Sequence, residues 1–218
     1  MHSVKRVEEP DKLREKKAEW TQRYLELIES GSDSKDRYPR GKYNHREIKA
    51  ALKEMYGACC CYCEGNVDPT SSQQVEHYRP KSKFPDLTFE WSNLHYCCPK
   101  CNISKSDKWD EENPILNPVD DVPEEHLFFD KYFVVFDKAD IRAKNTVEQV
   151  GLNRDGLIEY RASILKKVME FFQSHKNSVV DKETLKAMLK DAVNFDNSFV
   201  SFRKYVNEEV VESLFKSL

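Results

Sequence analysis

Seven cysteines, all between Cys59 and Cys101, constrain this 218-residue chain more than any other feature. They include two Cys-x-x-Cys pairs, Cys60 with Cys63 and Cys98 with Cys101. Each pair presents two thiolates on a tight turn, and two such pairs supply the tetrahedral sulfur set that suits zinc. The sequence therefore predicts a structural zinc site with these four ligands.

Three more cysteines leave the choice of ligands open, because a shift of register would exchange one of them for a predicted ligand: Cys59, Cys61 and Cys97. A thioredoxin-like redox site would need one Cys-x-x-Cys pair in a βαβ unit, which the pattern does not provide. A zinc closed by four thiolates has no position for a reacting water. Any chemistry must therefore come from the residues between and beside the pairs.

The clustering of an odd number of cysteines argues against a secreted disulfide scaffold. Residues 1–10 lack the apolar segment of a signal peptide. No uninterrupted apolar stretch approaches the ~18 residues of a transmembrane helix. We expect a cytoplasmic protein.

Charge is unevenly distributed along a chain whose formal net charge is −3. Residues 109–136 contain eight acids and the single base Lys131, whereas residues 1–58 are mildly basic. The net charge therefore does not indicate a nucleic-acid-binding protein, but it is compatible with local binding of phosphate groups. We divide the chain into an N-terminal helical segment with a basic loop, a central zinc-bearing core, and an acidic linker with a C-terminal helical region, at residues 1–57, 58–108 and 109–218.

Hydrophobic periodicity predicts helices on both sides of the cysteine region. Asn44 and Glu47 resemble a capping box that opens a helix. Residues 31–44 are predicted to be a basic loop, and Asn102 to begin a helix. The other predicted elements are helices at about 11–30, 155–175, 181–193 and 201–217, and a strand at 132–136.

The insert between the cysteine pairs carries Glu76-His77 and Asn93-Leu94, and Asn102-Ile103-Ser104-Lys105 follows the second pair. In this order, residues 58–108 resemble the HNH nucleases of the ββα-metal class. Together with the predicted helices, the resemblance implies a mainly α-helical protein around a small, zinc-stapled ββα-metal core. It departs from the usual motif in having Asn102 at the last position and Glu76 where Asp is commoner.

His77 is suited to act as a general base because its ordinary pKa lies near neutrality. Glu76 and Asn102 offer the hard oxygen donors that Mg²⁺ or Mn²⁺ prefers. The resemblance places these two residues at the metal-ligand positions and Asn93 at the position that orients the catalytic histidine. His95 is a rival to His77, being closer to Cys98, but it has no adjacent acid.

Two lysines are candidates for phosphate contacts in nucleic acid, Lys81 and Lys105, although Lys105 also fits a helix surface without a special role. The flanking segments, such as Ile115–Pro118 and Thr146–Asn153, resemble PtuB, the family of nuclease subunits of Septu-type anti-phage systems, including retron-associated ones. This resemblance implies an ABC-type ATPase subunit, PtuA-like, as a partner. The alternatives are a non-catalytic zinc module that binds nucleic acid and a scaffold that regulates an ATPase.

Overall fold

The computed structural model describes residues 1–33, 37–67, 73–194 and 196–216. In this part the chain is mainly α-helical, as predicted, with two small antiparallel hairpins. The helices before the first hairpin are α1 (Asp11–Glu29), α2 (Arg37–Tyr43) and α3 (Arg46–Met55). The central unit consists of β1 (Gln74–His77), β2 (Leu94–Cys97) and α4 (Pro99–Lys105). The C-terminal elements are β3 (Phe128–Asp130), β4 (Phe133–Val135), α5 (Ile141–Val150), α6 (Asp155–His175), α7 (Lys182–Val193), α8 (Val200–Tyr205) and α9 (Glu212–Lys216).

The central hairpin and α4 form the ββα unit that the resemblance implied. In the hairpin, Gln74 lies opposite Cys97 and Glu76 lies opposite His95. All four residues of β2 are buried, because α3 packs against this strand and α4 against β1. The unit is thus enclosed by helices from both ends of the chain, since α4 also packs against α5.

The predicted basic loop at 31–44 is wrong for half of its length, because residues 37–43 form α2; residues 34–36 lie outside the described part. Pro39 is compatible with a helix because it falls in the first turn, where its missing N–H costs no intrahelical bond. Asn44 ends α2, since its backbone N–H and its side chain both donate to Arg40 O. The capping-box prediction fails as well: His45 precedes α3, and its Nδ1 accepts from the N–H of Glu47 at 3.4 Å.

Helix α4 begins at Pro99, three residues before the predicted start. Cys98 caps it, with Sγ accepting from the N–H of Cys101 at 3.4 Å. The earlier start places Cys101, Asn102 and Lys105 on one helix, where residues three and four apart are neighbours.

Helix α5 and strand β3 are elements that the sequence analysis missed. Asp140 caps α5 by accepting from the N–H of Ala143 at 2.9 Å, and Gly151, with φ of +71°, ends it. A left-handed residue after the last turn commonly ends a helix, and glycine adopts that conformation without strain. No helix in the described part of the chain combines the length and apolarity needed to cross a membrane.

Candidate active site and metal centre

The four predicted zinc ligands lie together. The Sγ atoms of Cys60, Cys63, Cys98 and Cys101 all lie within 4.8 Å of one another. A tight turn supplies the first pair, closed by Glu64 N–H donating to Cys60 O, and the start of α4 supplies the second. Four soft sulfur donors in a closed, mostly buried cluster fit Zn²⁺ and leave no open coordination position.

The remaining three cysteines have different surroundings. Cys59 Sγ faces the carbonyls of Gly57 and Asn197, at 3.6 and 3.5 Å. The sulfur atoms of Cys61 and Cys97 lie within 4.8 Å of that of Cys60, but burial raises the pKa of both thiols well above the usual value. In the predicted set, hydrogen bonding with Cys101 lowers the pKa of Cys98 to about 4, whereas hydrogen bonding with Cys60 raises the pKa of Cys101. The pKa shifts therefore do not choose between the two groups. Among the described residues the predicted set places four sulfur atoms together and the other group only three, and a closed tetrahedral zinc site needs four donors, so we favour the predicted set.

Arg154 supports this cluster and was missed in the sequence analysis. Its Nη1 lies 3.3 Å from Cys101 Sγ and donates to Gly151 O at 3.0 Å. Burial lowers the pKa of Arg154, but the thiolates of Cys101 and Cys63 outweigh it and raise the pKa overall. Four thiolates around a divalent ion would carry an excess of negative charge, which this guanidinium would offset.

A groove of about 480 Å³ opens beside the ββα unit. Among its lining residues are predicted site residues from β1, α4 and the loop after β1, together with two residues of α2: Glu76, His77, Lys81, Asn102, Arg40 and Tyr43. A second groove of about 370 Å³ shares Arg40, Tyr43 and Asn102 with the first and extends to Lys49. The structure therefore brings the predicted base and both predicted metal ligands to one surface.

His77 is held in one protonation state and one orientation. Its Nε2 lies 3.0 Å from Thr88 O, and a carbonyl only accepts, so Nε2 carries the proton. Burial lowers the pKa of the ring to about 3, so the imidazole is neutral and Nδ1 has a free lone pair. The ring of Tyr43 packs edge-on against it, with centroids 4.8 Å apart.

Glu76 lies at the inner wall of the groove and forms an ion pair with Lys105. Lys105 Nζ is 2.6 Å from Glu76 Oε1 and also donates to His77 O at 2.8 Å. Tyr62 OH donates to the same Oε1 at 3.4 Å. Within the described residues Oε2 has no hydrogen-bond donor, so it remains available to a cation.

Burial raises the pKa of Glu76 to about 6, although the neighbouring Lys105 opposes the shift. Lys105 is itself fully buried. In this conformation its ammonium group faces Glu76 and the backbone of β1, whereas a contact with phosphate would require it to face the groove. The geometry favours a role for Lys105 in holding Glu76, and phosphate binding by Lys105 stays an untested prediction.

Asn93 acts on the histidine segment through the backbone. Its Oδ1 accepts from Arg79 N–H at 2.7 Å, and its Nδ2 donates to the carbonyls of Arg79 and Leu87 at 3.1 and 3.0 Å. Leu87 precedes Thr88, whose carbonyl holds His77. Asn93 thus fixes both the loop that follows His77 and the segment that supplies its acceptor, through hydrogen bonds to the backbone.

Asn102 and Lys81 both line the groove. Asn102 Nδ2 donates to Gln74 Oε1, which turns its Oδ1 away from that partner and leaves the oxygen for a cation. Glu76 Oε2 and Asn102 Oδ1 are thus two hard oxygen donors at one groove, a donor set that fits Mg²⁺ or Mn²⁺.

The rival histidine lies elsewhere. His95 is fully buried, with Nδ1 2.5 Å from Tyr56 OH and its ring near that of Tyr78. Burial lowers its pKa well below the ordinary value. The cysteine cluster found among the described residues does not include it, so His95 is a core residue in this structure.

Arg40 and Tyr43 are groove residues that the sequence analysis did not select. Both belong to α2, a segment predicted to be loop, so no helical register was available to place them together. The basic composition of residues 37–42 was the only signal, and it pointed to the segment rather than to these two side chains.

Comparison with known proteins agrees with this geometry. Residues 60–108 match the family described as HNH endonuclease. The chain is 33% identical over 172 residues to "Septu protein PtuB" of Bacillus thuringiensis, a match that covers 78% of this chain and 62% of that protein. It is 28% identical over 199 residues to "Septu protein PtuB" of Bacillus mycoides (strain KBAB4), covering 76% of this chain and 66% of that protein. The chain thus spans just under two thirds of the length of these curated relatives. The matches confirm both resemblances drawn from the motifs.

Proposed function

We propose that this chain, whose residues 60–108 belong to the HNH endonuclease family, is a metal-dependent endonuclease that hydrolyses phosphodiester bonds of nucleic acid. One observation carries the proposal. His77 is fixed by Thr88 O with an unprotonated Nδ1, in the same groove as the carboxylate of Glu76 and the amide of Asn102. A scaffold has no need of a neutral, oriented imidazole beside two hard oxygen donors.

In the proposed reaction His77 Nδ1 takes a proton from the attacking water. General-base catalysis of this kind contributes about 10²–10⁴-fold to a rate. The hydrogen bond from Nε2–H to Thr88 O keeps the ring from rotating and stabilises the positive charge that it gains. Tyr43 closes one side of the ring and restricts its movement.

Glu76 and Asn102 would hold a divalent ion, Mg²⁺ or Mn²⁺. When bound, such an ion stabilises the negative charge that develops on the phosphate and the leaving oxygen. Lys105 keeps Glu76 ionised in its buried position. Lys81 and Arg40, which both line the groove, would supply positive charge for phosphates.

The zinc predicted at the four cysteines has a structural role in this proposal. It connects the turn before β1 to the start of α4 and so fixes the hairpin against the helix that carries Asn102. The division at residues 57 and 108 stays a prediction. We also propose a cytoplasmic setting, where reduced thiolates persist.

The two relatives named Septu protein PtuB support a role in the same kind of system. We infer that the chain is the effector nuclease of an anti-phage defence complex whose partner is an ABC-type ATPase subunit. The partner subunit would decide when the nuclease acts.

The test is cleavage of plasmid DNA, single-stranded DNA and tRNA by the chain alone and with the ATPase encoded beside it. Each reaction is run with Mg²⁺, with Mn²⁺ and with a chelator. Cleavage that needs the metal and is lost in Asn102→Ala supports the proposal. Equal cleavage with chelator would show that the reaction needs no divalent ion. No cleavage by the zinc-loaded, ATPase-bound chain would favour the scaffold alternative.

A further inference from the structure

Arg6, far from the groove in sequence, forms a clamp on the turn that carries Asn93. Its Nη1 donates to Trp91 O at 2.7 Å and Leu94 O at 3.0 Å, and its Nη2 donates to Ser92 O at 2.9 Å. The guanidinium also lies over the indole of Trp91, 5.5 Å from the ring centroid. One side chain thus satisfies three backbone carbonyls of residues 91–94.

The turn itself supplies only part of the donors. Residues Trp91–Asn93 form a single 3₁₀ turn in which Leu94 N–H donates to Trp91 O, and the last carbonyls of any helical turn lack intrahelical donors. The planar fork of an arginine can reach several acceptors at once, whereas the single ammonium of a lysine cannot match that geometry. A further contact joins the turn to the residue after Arg6, since Trp91 Nε1 donates to Val7 O at 2.9 Å.

The clamped turn is connected to His77 by a short chain of contacts. Asn93 lies in the turn, and its side chain binds the backbone of Leu87, the residue before the acceptor Thr88. The backbone N–H of Tyr78 also donates to Asn93 O at 3.0 Å, which fixes the residue next to His77. Movement of the turn would therefore shift the histidine and its acceptor relative to each other.

We propose that Arg6 is a positioning residue for the nuclease reaction: it holds the Asn93 turn so that Thr88 O stays in register with His77 Nε2. The inference rests on the proposed function for its catalytic consequence, but the hydrogen bond that it concerns can be observed directly. Arg6 lies outside the residues matched to the HNH family.

The kinetic test compares Arg6→Ala with Arg14→Ala, an arginine of α1 whose contacts are with the exposed side chains of Glu8 and Asp11. Misplacement of a catalytic group by about 1 Å costs up to ~100-fold in rate. We expect kcat to fall about 10–100-fold in Arg6→Ala, with KM unchanged, and millimolar guanidinium to restore part of it. Arg14→Ala should behave as wild type.

An arm independent of cleavage uses the imidazole N–H signals of the ¹⁵N-labelled zinc protein. The signal that is missing in His77→Ala identifies Nε2–H, and we expect it to be protected from exchange in wild type and Arg14→Ala. Arg6→Ala should lose that protection while its melting temperature shows a folded protein. If Arg6→Ala does not fold, Arg6→Lys replaces it, and we expect this variant to lose part of the protection of the His77 Nε2–H signal.

Unchanged kcat, or protection of the His77 signal retained in a folded Arg6 variant, would overturn the positioning role. A loss of kcat that only tracks the folded fraction, without rescue by guanidinium, would overturn it too. If wild type cleaves nothing, the proposed function fails, and the N–H signal still decides whether Arg6 positions His77.

Discussion

Lys105 Nζ lies 2.6 Å from Glu76 Oε1, and neither side chain is more than 3% exposed. Removing one partner of a buried ion pair leaves an uncompensated charge, which is far more costly than the pair itself. The pair therefore ties the ionisation of a proposed metal ligand to the stability of the core.

We expect Lys105→Met to lower the free energy of unfolding by about 3–5 kcal/mol. The buried Glu76 loses its counter-charge, so its pKa rises further and binding of Mn²⁺ weakens. Urea unfolding and calorimetric titration with Mn²⁺ measure the two effects.

The control is Lys108→Met, because Lys108 is an exposed lysine of the following turn that donates to Ser104 O. It should leave both quantities unchanged. An increase in KM for nucleic acid in Lys105→Met, with stability and Mn²⁺ binding unaltered, would instead support the phosphate contact that the sequence suggested.

Asn93→Ala is expected to reduce kcat about 100-fold without a change in KM, since the side chain holds the His77 loop and does not touch substrate. Initial-rate kinetics on the best substrate from the cleavage panel measure the split. Asn153→Ala is a matched control, because Asn153 makes the same two-way contact with the backbone of Val134, both bonds at 2.8 Å. Equal reductions of kcat in Asn93→Ala and Asn153→Ala would show that Asn93 acts only on stability.

Cys60→Ser should lose zinc and at least about 4 kcal/mol of stability, because a structural metal contributes folding free energy directly. Cys59→Ser should keep its zinc and lose about 1 kcal/mol or less, since a hydroxyl can replace the thiol as a donor to the same carbonyls. Zinc content by elemental analysis and urea unfolding provide the measurement. Normal zinc content in Cys60→Ser would mean that the register of ligands is different.

Arg40→Ala and Lys81→Ala are expected to weaken binding of nucleic acid. Each variant should also lower the slope of log affinity against log salt by about 1, because one phosphate of the nucleic acid is no longer neutralised. Lys53→Ala, on the exposed face of α3, is the control. Fluorescence anisotropy at several salt concentrations gives the slopes. Slopes that match wild type in both groove variants would place the nucleic acid on another surface.

The mainly helical fold and the cluster of four cysteines followed from local sequence patterns, whereas the ββα unit followed from the family resemblance. Two Cys-x-x-Cys pairs already contain the geometry of a four-sulfur site, and the long stripe in α6 has a clear helical period. Helix α5 was also predictable from the sequence, because its buried residues recur at helical spacing: Ala143, Thr146, Val147 and Val150. Its capping Asp140 and terminal Gly151 are ordinary boundary signals.

Other features depend on tertiary contacts that no local pattern contains. Pro39 and Gly41 made α2 read as a loop, although a helix tolerates proline in its first turn. Whether Lys105 faces solvent or the interior is decided by the buried carboxylate of Glu76 on another element. Arg6 gave no signal because its acceptors are backbone carbonyls 85 or more positions away.

The most direct test of the account is cleavage by His77→Ala under single-turnover conditions with saturating Mg²⁺ or Mn²⁺, beside His95→Ala, which removes the buried core histidine. We predict a rate reduced by about 10²–10⁴-fold in His77→Ala, with zinc still bound and a cooperative unfolding transition retained, and a folded His95→Ala fraction that cleaves at the wild-type rate. Cleavage at the wild-type rate by a folded, zinc-loaded His77→Ala protein would contradict the assignment of His77 as the general base.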